Sequence, residues 1–485
     1  MKKFLTILVA TLAISAGSCK KDYLELATNP NAPSSSTPGA ALTGALKTTA
    51  DIINGGGFTM YAAWDGYLSW STGFQANVAL LSYQITSATY DVWSPLYLNI
   101  SNYNALYNQT TDASYRAMAE VMTVYDYQAL VDNYNNVAYG DAIKGVSVLN
   151  PTYEKGSDVY DKLLVRLDAA IKSLQTLSAG AQTANSADIM YNGNMTKWLK
   201  FANTLKLRLA LRQSNVSGKT AALKAAVAAT QASGYIDESA PAAVNPGYLN
   251  SDANNGQQSP LWRNYGYTQN GGAQANNNQY QANSYAATKL TSDGDTRGFR
   301  VYTLTGGNII STPFGGTTPP SSPPSKVGPG ILQAATMSAF IMSPAEALFL
   351  QAEGVQFGYI TSSTSTAAAL YAAGIKASFT YDGATGVDNY ISQHAYPAGG
   401  GAAALQAIIN EKWKALAIFG ALESFNELRR TGYPNDVPLS IYPGANPPNQ
   451  VTRIPYPSVE YATNANVVAG EGTINVFTSK IFWAK

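Results

Sequence analysis

Apolar residues recur at helical spacing in several separate stretches, and this feature constrains the fold of the chain more than any other. The clearest stretch follows Ser157, where apolar residues lie on one face of a helix and charged residues on the opposite face. The apolar positions are Tyr160, Leu163, Leu164, Leu167, Ile171 and Leu174. Such a face must be buried against another element, so the pattern predicts packed helices.

Further stretches of the same kind flank this helix. One ends near Asn133, one begins near Lys197, and an alanine-rich one runs from about Lys219 to Ala232. The helix from Lys197 is expected to present its charged residues, including Arg208, away from its apolar face. Short polar turns join the helices in pairs. The segment 115–233 is therefore predicted to form a tetratricopeptide-like helical-repeat scaffold, although no consensus repeat is legible.

Helical order returns in the segment 343–433. Ser343 is a suitable N-cap, Pro344 suits the first helical position, and Glu346 can reach back to complete a capping box. Further helices follow up to the end of this segment. The final segment, 434–485, is predicted to consist of loops and short strands.

Between the two helical blocks, the segment 234–342 is rich in Asn, Gly, Ser and Pro. Long loops of this kind often carry function. We expect residues 240–290 to be ordered by their aromatic side chains and residues 313–330 to form a mobile surface excursion. Residues 41–485 are thus predicted to be a single, mainly α body with a large irregular loop-built subdomain and short β pieces.

The N-terminus has the features of an export signal. Lys2 and Lys3 precede an almost unbroken apolar run, and small residues follow it up to position 18. Cys19, the only cysteine, comes directly after this predicted signal peptide (1–18) in a segment that resembles a bacterial lipobox. We predict that Cys19 is lipidated and that residues 19–40 form an extended tether, which places the protein outside the cytoplasm on a lipid anchor.

Charge composition argues against nucleic acid as a partner. The chain has 31 basic and 30 acidic residues, and two of the basic residues lie in the signal peptide. The mature protein is therefore nearly neutral and lacks a basic binding surface. Aromatic residues are plentiful, with 32 tyrosines and 7 tryptophans. Tyr and Trp combine an apolar face with a polar edge, which suits recognition by stacking and hydrogen bonding.

The sequence offers little material for catalysis. With one cysteine and a single histidine, His394, the chain has almost no material for nucleophile–histidine arrangements, and clustered His/Cys zinc sites are excluded. His394 is expected in a surface loop. Paired carboxylates could still form a glycosidase, but Glu346 has a capping role and Glu427 can pair with Arg430 one turn away. No calcium loop of EF-hand type is present, so no metal site and no cofactor is assigned, and binding of a cation elsewhere stays open.

Two regions combine aromatic side chains with amides and hydroxyls, the mixture that covers the apolar face of a sugar and matches its hydroxyl groups. The candidate binding residues are Trp64, Tyr67, Trp70, Phe74 and Tyr90 in the first region, and Tyr248, Trp262, Tyr265, Tyr267 and Tyr280 in the second. An aromatic peptide could use the same surface. The alternative is that these side chains belong to the core, and the sequence leaves this open for Trp64, Trp70 and Trp262.

A series of short motifs lies in order over nearly the whole chain. They are Asp22 to Leu26 with Asn29-Pro30-Asn31, Tyr139-Gly140-Asp141, Lys197 to Asn203 continuing to Leu209, Ala345-Glu346 with Ala352-Glu353, Glu411-Lys412-Trp413, Arg429 to Pro434, and Arg453 with Tyr456-Pro457 and Glu460. Together with the lipobox, this series resembles the SusD/RagB-like family, in particular its SusD-like group two branch. One departure is Ser424-Phe425, where the family often has a tryptophan.

The resemblance implies a binding protein of the outer membrane without catalytic activity. Such a protein captures oligosaccharides, or in some members peptides, and acts as the lid of a SusC-like TonB-dependent transporter. By the same resemblance, the helical scaffold would contact the transporter barrel, and the ligand site would lie in variable loops. Two other functions stay open: a carboxylate-dependent glycoside hydrolase, and a structural surface lipoprotein without a soluble ligand.

Overall fold

The computed structural model describes residues 36–181, 184–254 and 256–485. The predicted signal peptide, Cys19 and most of the predicted tether lie outside these residues. The first part of the described chain is built mainly from helices with short connections. Its elements are α1 (Pro38–Asn54), α2 (Thr59–Trp64), β1 (Leu68–Trp70), α3 (Val78–Leu81), α4 (Trp93–Gln109), α5 (Ala113–Tyr134), β2 (Val137–Ala138), β3 (Tyr153–Glu154), α6 (Gly156–Ser178), α7 (Met195–Arg212) and α8 (Thr220–Ala228).

The predicted helical scaffold is confirmed. The apolar positions of α6, from Tyr160 to Leu174, are buried as the sequence pattern requires. Consecutive long helices pack against each other, α4 on α5, α5 on α6 and α6 on α7. Pairing of neighbouring helices thus begins before residue 115, because α4 already packs on both α1 and α5.

The middle of the chain alternates short helices, short strands and irregular segments, as its composition indicates. Its elements are β4 (Ala242–Val244), α9 (Pro260–Tyr265), α10 (Ala275–Gln279), β5 (Tyr280–Ala282), α11 (Ser284–Lys289), α12 (Gly298–Val301) and β6 (Ala339–Met342). Within the described residues the strands form three antiparallel pairs, β1–β5, β2–β3 and β4–β6. These pairings connect segments that are far apart in sequence.

The segment 313–330 differs in part from its prediction as a surface excursion. Phe314 and Val327, near its two ends, are buried. The Ser325 carbonyl accepts a hydrogen bond from the N–H of Ala282 in β5 at 2.8 Å. Only the middle of the segment lies on the surface, because its ends complete the backbone hydrogen bonding around β5.

The second helical block follows directly. Its elements are α13 (Pro344–Gln356), α14 (Ala367–Asp382), α15 (Val387–Gln393), α16 (Gly401–Ala415), α17 (Ala421–Thr431), α18 (Ser458–Thr463) and α19 (Ala465–Gly470). Helix α13 packs on α14 and α16, and it also contacts α7, so the two helical blocks share a core. A smaller apolar cluster around Phe349 and Ile375 fills the space between α13, α14 and α16.

The start of α13 confirms the predicted N-cap but not the full capping box. Ser343 Oγ accepts a hydrogen bond from the N–H of Glu346 at 3.2 Å, and Pro344 occupies the first turn. The Glu346 carboxylate instead accepts a hydrogen bond from Arg208 Nη1 at 3.1 Å. A buried guanidinium offers a carboxylate a stronger partner than a backbone N–H at a helix end.

Charged side chains fill the space between α7, α13, α16 and α17. Arg212 donates to Glu423 at 2.5 Å, and Lys412 donates to Glu427 at 3.0 Å. Arg430 donates to Glu353 at 2.8 Å. The expectation that the charges of α7 point away from the packed face is therefore wrong for Arg208, since it lies in this buried cluster together with Arg212.

The prediction of short strands in 434–485 is wrong. The described chain has two short helices there, α18 and α19, and otherwise loops. The segment ends with Trp483, which is fully buried and donates from Nε1 to Asp132 Oδ1 at 2.9 Å. The guanidinium groups of Arg212 and Arg429 each lie 5.2 Å from the Trp483 ring. Interactions with distant residues, rather than local periodicity, order this segment.

Candidate functional site

The structure brings together the two regions that the sequence selects for ligand binding. Strands β1 and β5 pair in antiparallel register, and Trp70 lies opposite Tyr280. The pairing continues past β1, where the N–H of Ser71 donates to the Gln279 carbonyl at 2.7 Å. Residues of the first aromatic region are therefore adjacent to residues of the second, although about two hundred positions of sequence separate them.

Many of the predicted site residues lie in the core instead of on the surface. Those that are buried are Trp64, Tyr67, Tyr248, Tyr265 and Tyr280. Tyr90 is half-buried, and its ring packs edge-on against Trp64 at 5.7 Å. The five buried residues cannot cover a ligand from the surface, which corrects the prediction for them, whereas the prediction for Tyr90 stays open.

The polar ends of the buried rings explain why these residues, which lie in polar sequence, belong to the core. Trp64 Nε1 donates to the Leu80 carbonyl at 3.1 Å. The Tyr67 hydroxyl donates to the Trp413 carbonyl at 2.6 Å, and its ring stacks on the Trp413 ring at 4.7 Å. A large aromatic residue with a satisfied polar group gains the full stabilisation of burial.

The remaining predicted residues, Trp70, Phe74, Trp262 and Tyr267, keep part of their rings accessible, and we call these four residues the aromatic ledge. Phe74 is 45% exposed and Tyr267 is 39% exposed, whereas the two tryptophans are partly buried. Trp70 Nε1 donates to the Gln75 carbonyl at 3.0 Å, and Trp262 Nε1 donates to the Tyr267 carbonyl at 2.9 Å. Because both indole N–H groups are used internally, these rings offer faces for stacking rather than hydrogen-bond donors.

Buried tyrosines connect the two halves of the ledge. Tyr280 packs edge-on against Trp70 with 5.2 Å between ring centroids, and the rings of Tyr280 and Tyr265 are 6.4 Å apart. Tyr265 ends the helix α9 that carries Trp262. The buried candidates therefore support the exposed ones. Residues that the sequence groups as one site divide into a surface layer and a supporting layer.

Amide side chains accompany the ledge, as the composition of the second region suggests. Asn276 Nδ2 donates to Asn264 Oδ1 at 2.6 Å, and Asn277 Nδ2 donates to the Tyr265 carbonyl at 2.6 Å. Amide groups match the donors and acceptors of sugar hydroxyls and of peptide bonds alike. Asn277 is buried and supports the ledge, whereas Asn264 and Asn276 are partly exposed and are the amides that a ligand could contact.

Lys326 is a polar residue at this site that sequence reasoning missed. Its Nζ donates to the carbonyls of Asn278 and Tyr280, each at 3.0 Å. Burial lowers the pKa of the Lys326 ammonium to about 8. The residue lies in the segment 313–330, whose Pro, Gly and Ser content gave no sign that it lies against β5.

The carboxylate pairs that a glycosidase could use form ion pairs inside the protein, away from the aromatic ledge. Glu346, Glu353, Glu423 and Glu427 are all buried in the charged cluster between the helices. Burial opposes ionisation of Glu427, but Arg430, Lys412 and Arg212 outweigh it and hold the pKa of this carboxyl well below its usual range. Glu427 accepts from Arg430 Nε at 2.7 Å, as its spacing predicts. A carboxylate fixed between cations in this way is a poor proton donor.

His394 ends α15 and is partly buried. Its ring stacks on Tyr390 with 4.0 Å between centroids, so it is not a free surface residue. Within the described ranges, no group of three or more His, Cys, Asp or Glu side chains is arranged to hold a metal ion. In the same part of the chain, no helix is both long enough and apolar enough to cross a bilayer.

The sequence profile and the solved structures that match this chain all describe SusD-like proteins. A sequence profile described as SusD-like, starch-binding associating with outer membrane, matches residues 30–457. No curated protein matches the chain in sequence. Solved structures of SusD homologues have the same fold. A chitin-binding SusD homologue from Flavobacterium johnsoniae is 22% identical with a TM-score of 0.76, and the alignment covers 91% of this chain and 98% of that one.

Two further structures from Bacteroides show the same likeness. A SusD homologue from Bacteroides uniformis is 23% identical with a TM-score of 0.72, covering 92% of this chain and 99% of that one. A SusD-like protein from Bacteroides thetaiotaomicron is 20% identical with a TM-score of 0.73, covering 91% and 98%. At this level of identity the comparison establishes the fold, and the ligand has to be argued from the site.

Proposed function

Because the chain belongs to the SusD-like family of starch-binding proteins that associate with the outer membrane, we propose that it captures oligosaccharides or peptides for a SusC-like TonB-dependent transporter. In this role it is a lipid-anchored protein on the outer surface, and it closes over the transporter as a lid. Binding alone is its task, and no catalytic step is assigned to it. The energy for uptake comes from the transporter.

The observation that supports this proposal is the aromatic ledge with its amide neighbours. Trp70 and Trp262 present ring faces, since their N–H groups are bound to nearby carbonyls. Flat apolar faces beside amide groups suit a pyranose ring. The chitin-binding homologue from Flavobacterium johnsoniae makes chitin oligosaccharides the first ligands to test, followed by starch oligosaccharides and peptides.

A thermal-shift screen of residues 20–485 tests ligand capture. A ligand that binds only the folded state stabilises it by about 2.7 kcal/mol at a concentration of 100 times its dissociation constant. Each ligand that raises the melting temperature is then recovered and analysed. An intact ligand supports capture, whereas a cleaved ligand would establish a hydrolase. If every ligand leaves the melting temperature unchanged, the proposed ligand classes are wrong and a structural lipoprotein is favoured.

A matched pair of variants tests whether the ledge is the binding surface. Phe74→Ala removes an exposed ring from the ledge, and Phe299→Ala removes a ring of similar exposure, 42%, elsewhere. We expect Phe74→Ala, Trp70→Ala and Trp262→Ala to reduce the ligand-dependent shift while Phe299→Ala does not. If Phe299→Ala has the same effect as Phe74→Ala, binding does not occur at the ledge.

The loop after β2 is a candidate contact for the transporter. Val146 and Leu149 are 93% and 75% exposed, and Asn150 Nδ2 ties the loop to α18 by donating to the Thr463 carbonyl at 2.9 Å. Exposed apolar side chains in one loop are typical of an interaction surface. Val146→Asp with Leu149→Asp should reduce co-purification of the transporter. Ile441→Asp, at a 62% exposed position outside the helical scaffold, is the control.

The lipid anchor has its own test. Cys19→Ser should abolish incorporation of a labelled fatty acid and release the protein from the membrane fraction, because the thiol is the attachment point. Retention of the label in Cys19→Ser would contradict lipidation at this residue. This result would leave ligand capture by the ledge unaffected.

A further inference from the structure

Lys326 places an ammonium group at the edge of the aromatic ledge. Its Nζ donates to the Tyr280 carbonyl at 3.0 Å, and the Tyr280 ring packs edge-on against Trp70 at 5.2 Å. It also donates to the carbonyl of Asn278 on α10 at 3.0 Å. The same short helix carries Asn276, one of the amides that a ligand could contact. The ammonium group therefore adjoins both the layer that supports the rings and the accessible amides.

This ammonium group has no carboxylate partner among the described residues. By contrast, the buried Lys206 lies 2.5 Å from Asp168. The buried Lys412 likewise lies 3.0 Å from Glu427. Burial lowers the pKa of Lys326, and no carboxylate in this part of the chain opposes the shift. An anion that binds beside such a cation supplies the counter-charge that the protein lacks there.

One donor of the Lys326 ammonium group is free for a ligand. A lysine ammonium has three N–H donors, and the two backbone carbonyls use two of them. The hydrogen bond to Asn278 is exposed to solvent, so the group is accessible from that side. A hydrogen bond between an ammonium and a carboxylate is roughly twice as strong as one between neutral groups. The free donor therefore favours a carboxylate over a hydroxyl group.

The other charges around the ledge are arranged differently. Arg263 on α9 already pairs with Asp51 at 3.0 Å. The Asp252 carboxylate accepts a hydrogen bond from the N–H of Gln269 at 2.8 Å, two residues beyond Tyr267. The negative charge thus lies towards the Tyr267 end of the ledge, and the unpaired positive charge lies beside β5. A ligand with one carboxylate suits this arrangement better than a ligand that is acidic along its whole length.

We propose that the ledge binds oligosaccharides that carry a uronic acid residue, with the carboxylate of this residue on the Lys326 ammonium group. The neutral sugar rings of the same ligand cover the faces of Trp70 and Trp262. This inference rests on the proposed function, because it requires the ledge to be the surface that captures the ligand. It adds the substrate class that the ledge prefers.

Isothermal titration of the soluble body, residues 20–485, tests this preference at pH 7. At this pH the Lys326 ammonium group stays mainly protonated, because its lowered pKa is still about 8. The acidic probe is xylotriose that carries one glucuronic acid residue. Its methyl ester masks the charge, and xylotetraose has the same number of rings without a carboxylate. We expect the acidic probe to bind about tenfold more tightly than either, and this advantage should shrink in about 1 M salt.

Triacetylchitotriose, a neutral ligand, reports separately on the ledge. If it binds while the acidic probe shows no advantage over its ester, the preference for uronic acids is wrong and the proposed function stands. If none of the four compounds binds, the ledge is not a sugar-binding surface, and this inference is overturned together with that role.

Variants then assign the preference to Lys326. Lys326→Met keeps an unbranched side chain and removes the charge, so it should weaken binding of the acidic probe about tenfold and leave the ester and triacetylchitotriose unchanged. Lys326→Arg keeps the charge and should keep the preference. Lys376→Met, at a side chain 53% exposed on α14, removes the same charge elsewhere and should have no effect. If Lys326→Met weakens the acidic probe and its ester equally, the residue only shapes the ledge, and the assignment is wrong.

Discussion

Glu411→Gln is the substitution whose effect on stability can be worked out most directly from the structure. Glu411 on α16 is buried, and its carboxylate accepts hydrogen bonds from Arg297 Nη2 at 2.8 Å and from the Tyr390 hydroxyl at 2.6 Å. Burial alone would raise the pKa of its carboxyl, but the charges of Lys414 and Arg297 and the Tyr390 hydroxyl together lower it to about 2. In the unfolded chain a glutamate has a pKa of about 4.3.

The difference in pKa gives the expected magnitude. A group with a lower pKa in the folded state stabilises the fold above its unfolded pKa, and this contribution is lost as pH falls through the folded value. Slightly more than two units correspond to about 3 kcal/mol at pH 7. Breaking a buried ion pair typically costs about 3–5 kcal/mol, which agrees with this value. Glu411→Gln should therefore lower the free energy of unfolding by about 3 kcal/mol at pH 7.

Urea unfolding of the wild type and Glu411→Gln at several pH values measures this difference. The difference in free energy of unfolding between the two proteins should have its full value at pH 7. It should become smaller as pH falls from about 4 towards 2, where the wild-type carboxylate becomes protonated. The control is Glu238→Gln at an exposed position, with an effect within about 0.5 kcal/mol. If this difference in free energy of unfolding stays constant down to pH 2, the reasoning is refuted, because the loss of stability would then come from the altered shape of the side chain and not from its charge.

Other substitutions test separate features of the fold. Burial raises the pKa of the Asp126 carboxyl to about 8. The stabilisation by its protonated form is full below the unfolded pKa of about 3.9 and is lost as pH rises through 8. In thermal unfolding, Asp126→Asn should therefore lose less stability than the wild type when the pH is raised from about 5 to 9. Gly374→Ala places a Cβ 2.8 Å from Phe349 Cζ, and this overpacking should cost about 1–3 kcal/mol in urea unfolding. Ser343→Ala removes the N-cap of α13 and should lower the free energy of unfolding by about 1 kcal/mol in the same measurement. Ser343→Thr should keep most of this stabilisation, because its hydroxyl can also accept the hydrogen bond.

The helices could be predicted because their information is local. The apolar face of α6 and the cap of α13 each depend on a few neighbouring residues, and both are present where the pattern indicates. The same reasoning failed for Arg208. Helical spacing shows that Arg208 lies outside the apolar face of α7. It does not show that carboxylates from α13 and α17 surround the Arg208 guanidinium in the protein interior.

The candidate site could be predicted only in part, because burial of an aromatic residue in a loop depends on partners that are distant in sequence. Tyr67 and Trp70 are three residues apart in similar surroundings. Tyr67 is buried because the Trp413 carbonyl accepts its hydroxyl hydrogen, whereas Trp70 bonds to the carbonyl of nearby Gln75 and keeps part of its ring accessible. Composition selected two regions that the β1–β5 pairing brings together, and this pairing decides which of the β1 and β5 side chains face outward.

This division between support and surface has a consequence for how ligand preference can change. The solved homologues keep the fold at only 20–23% identity, so the packing of helices tolerates extensive substitution. At the ledge, the indoles of Trp70 and Trp262 are held by carbonyls only five residues further along the chain. The rings beneath them are held by the core. Because each exposed ring depends on its own short loop, a loop can be exchanged without disturbing the layer below. On the proposed function, the ledge is the surface whose exchange would change ligand preference while the scaffold stays the same.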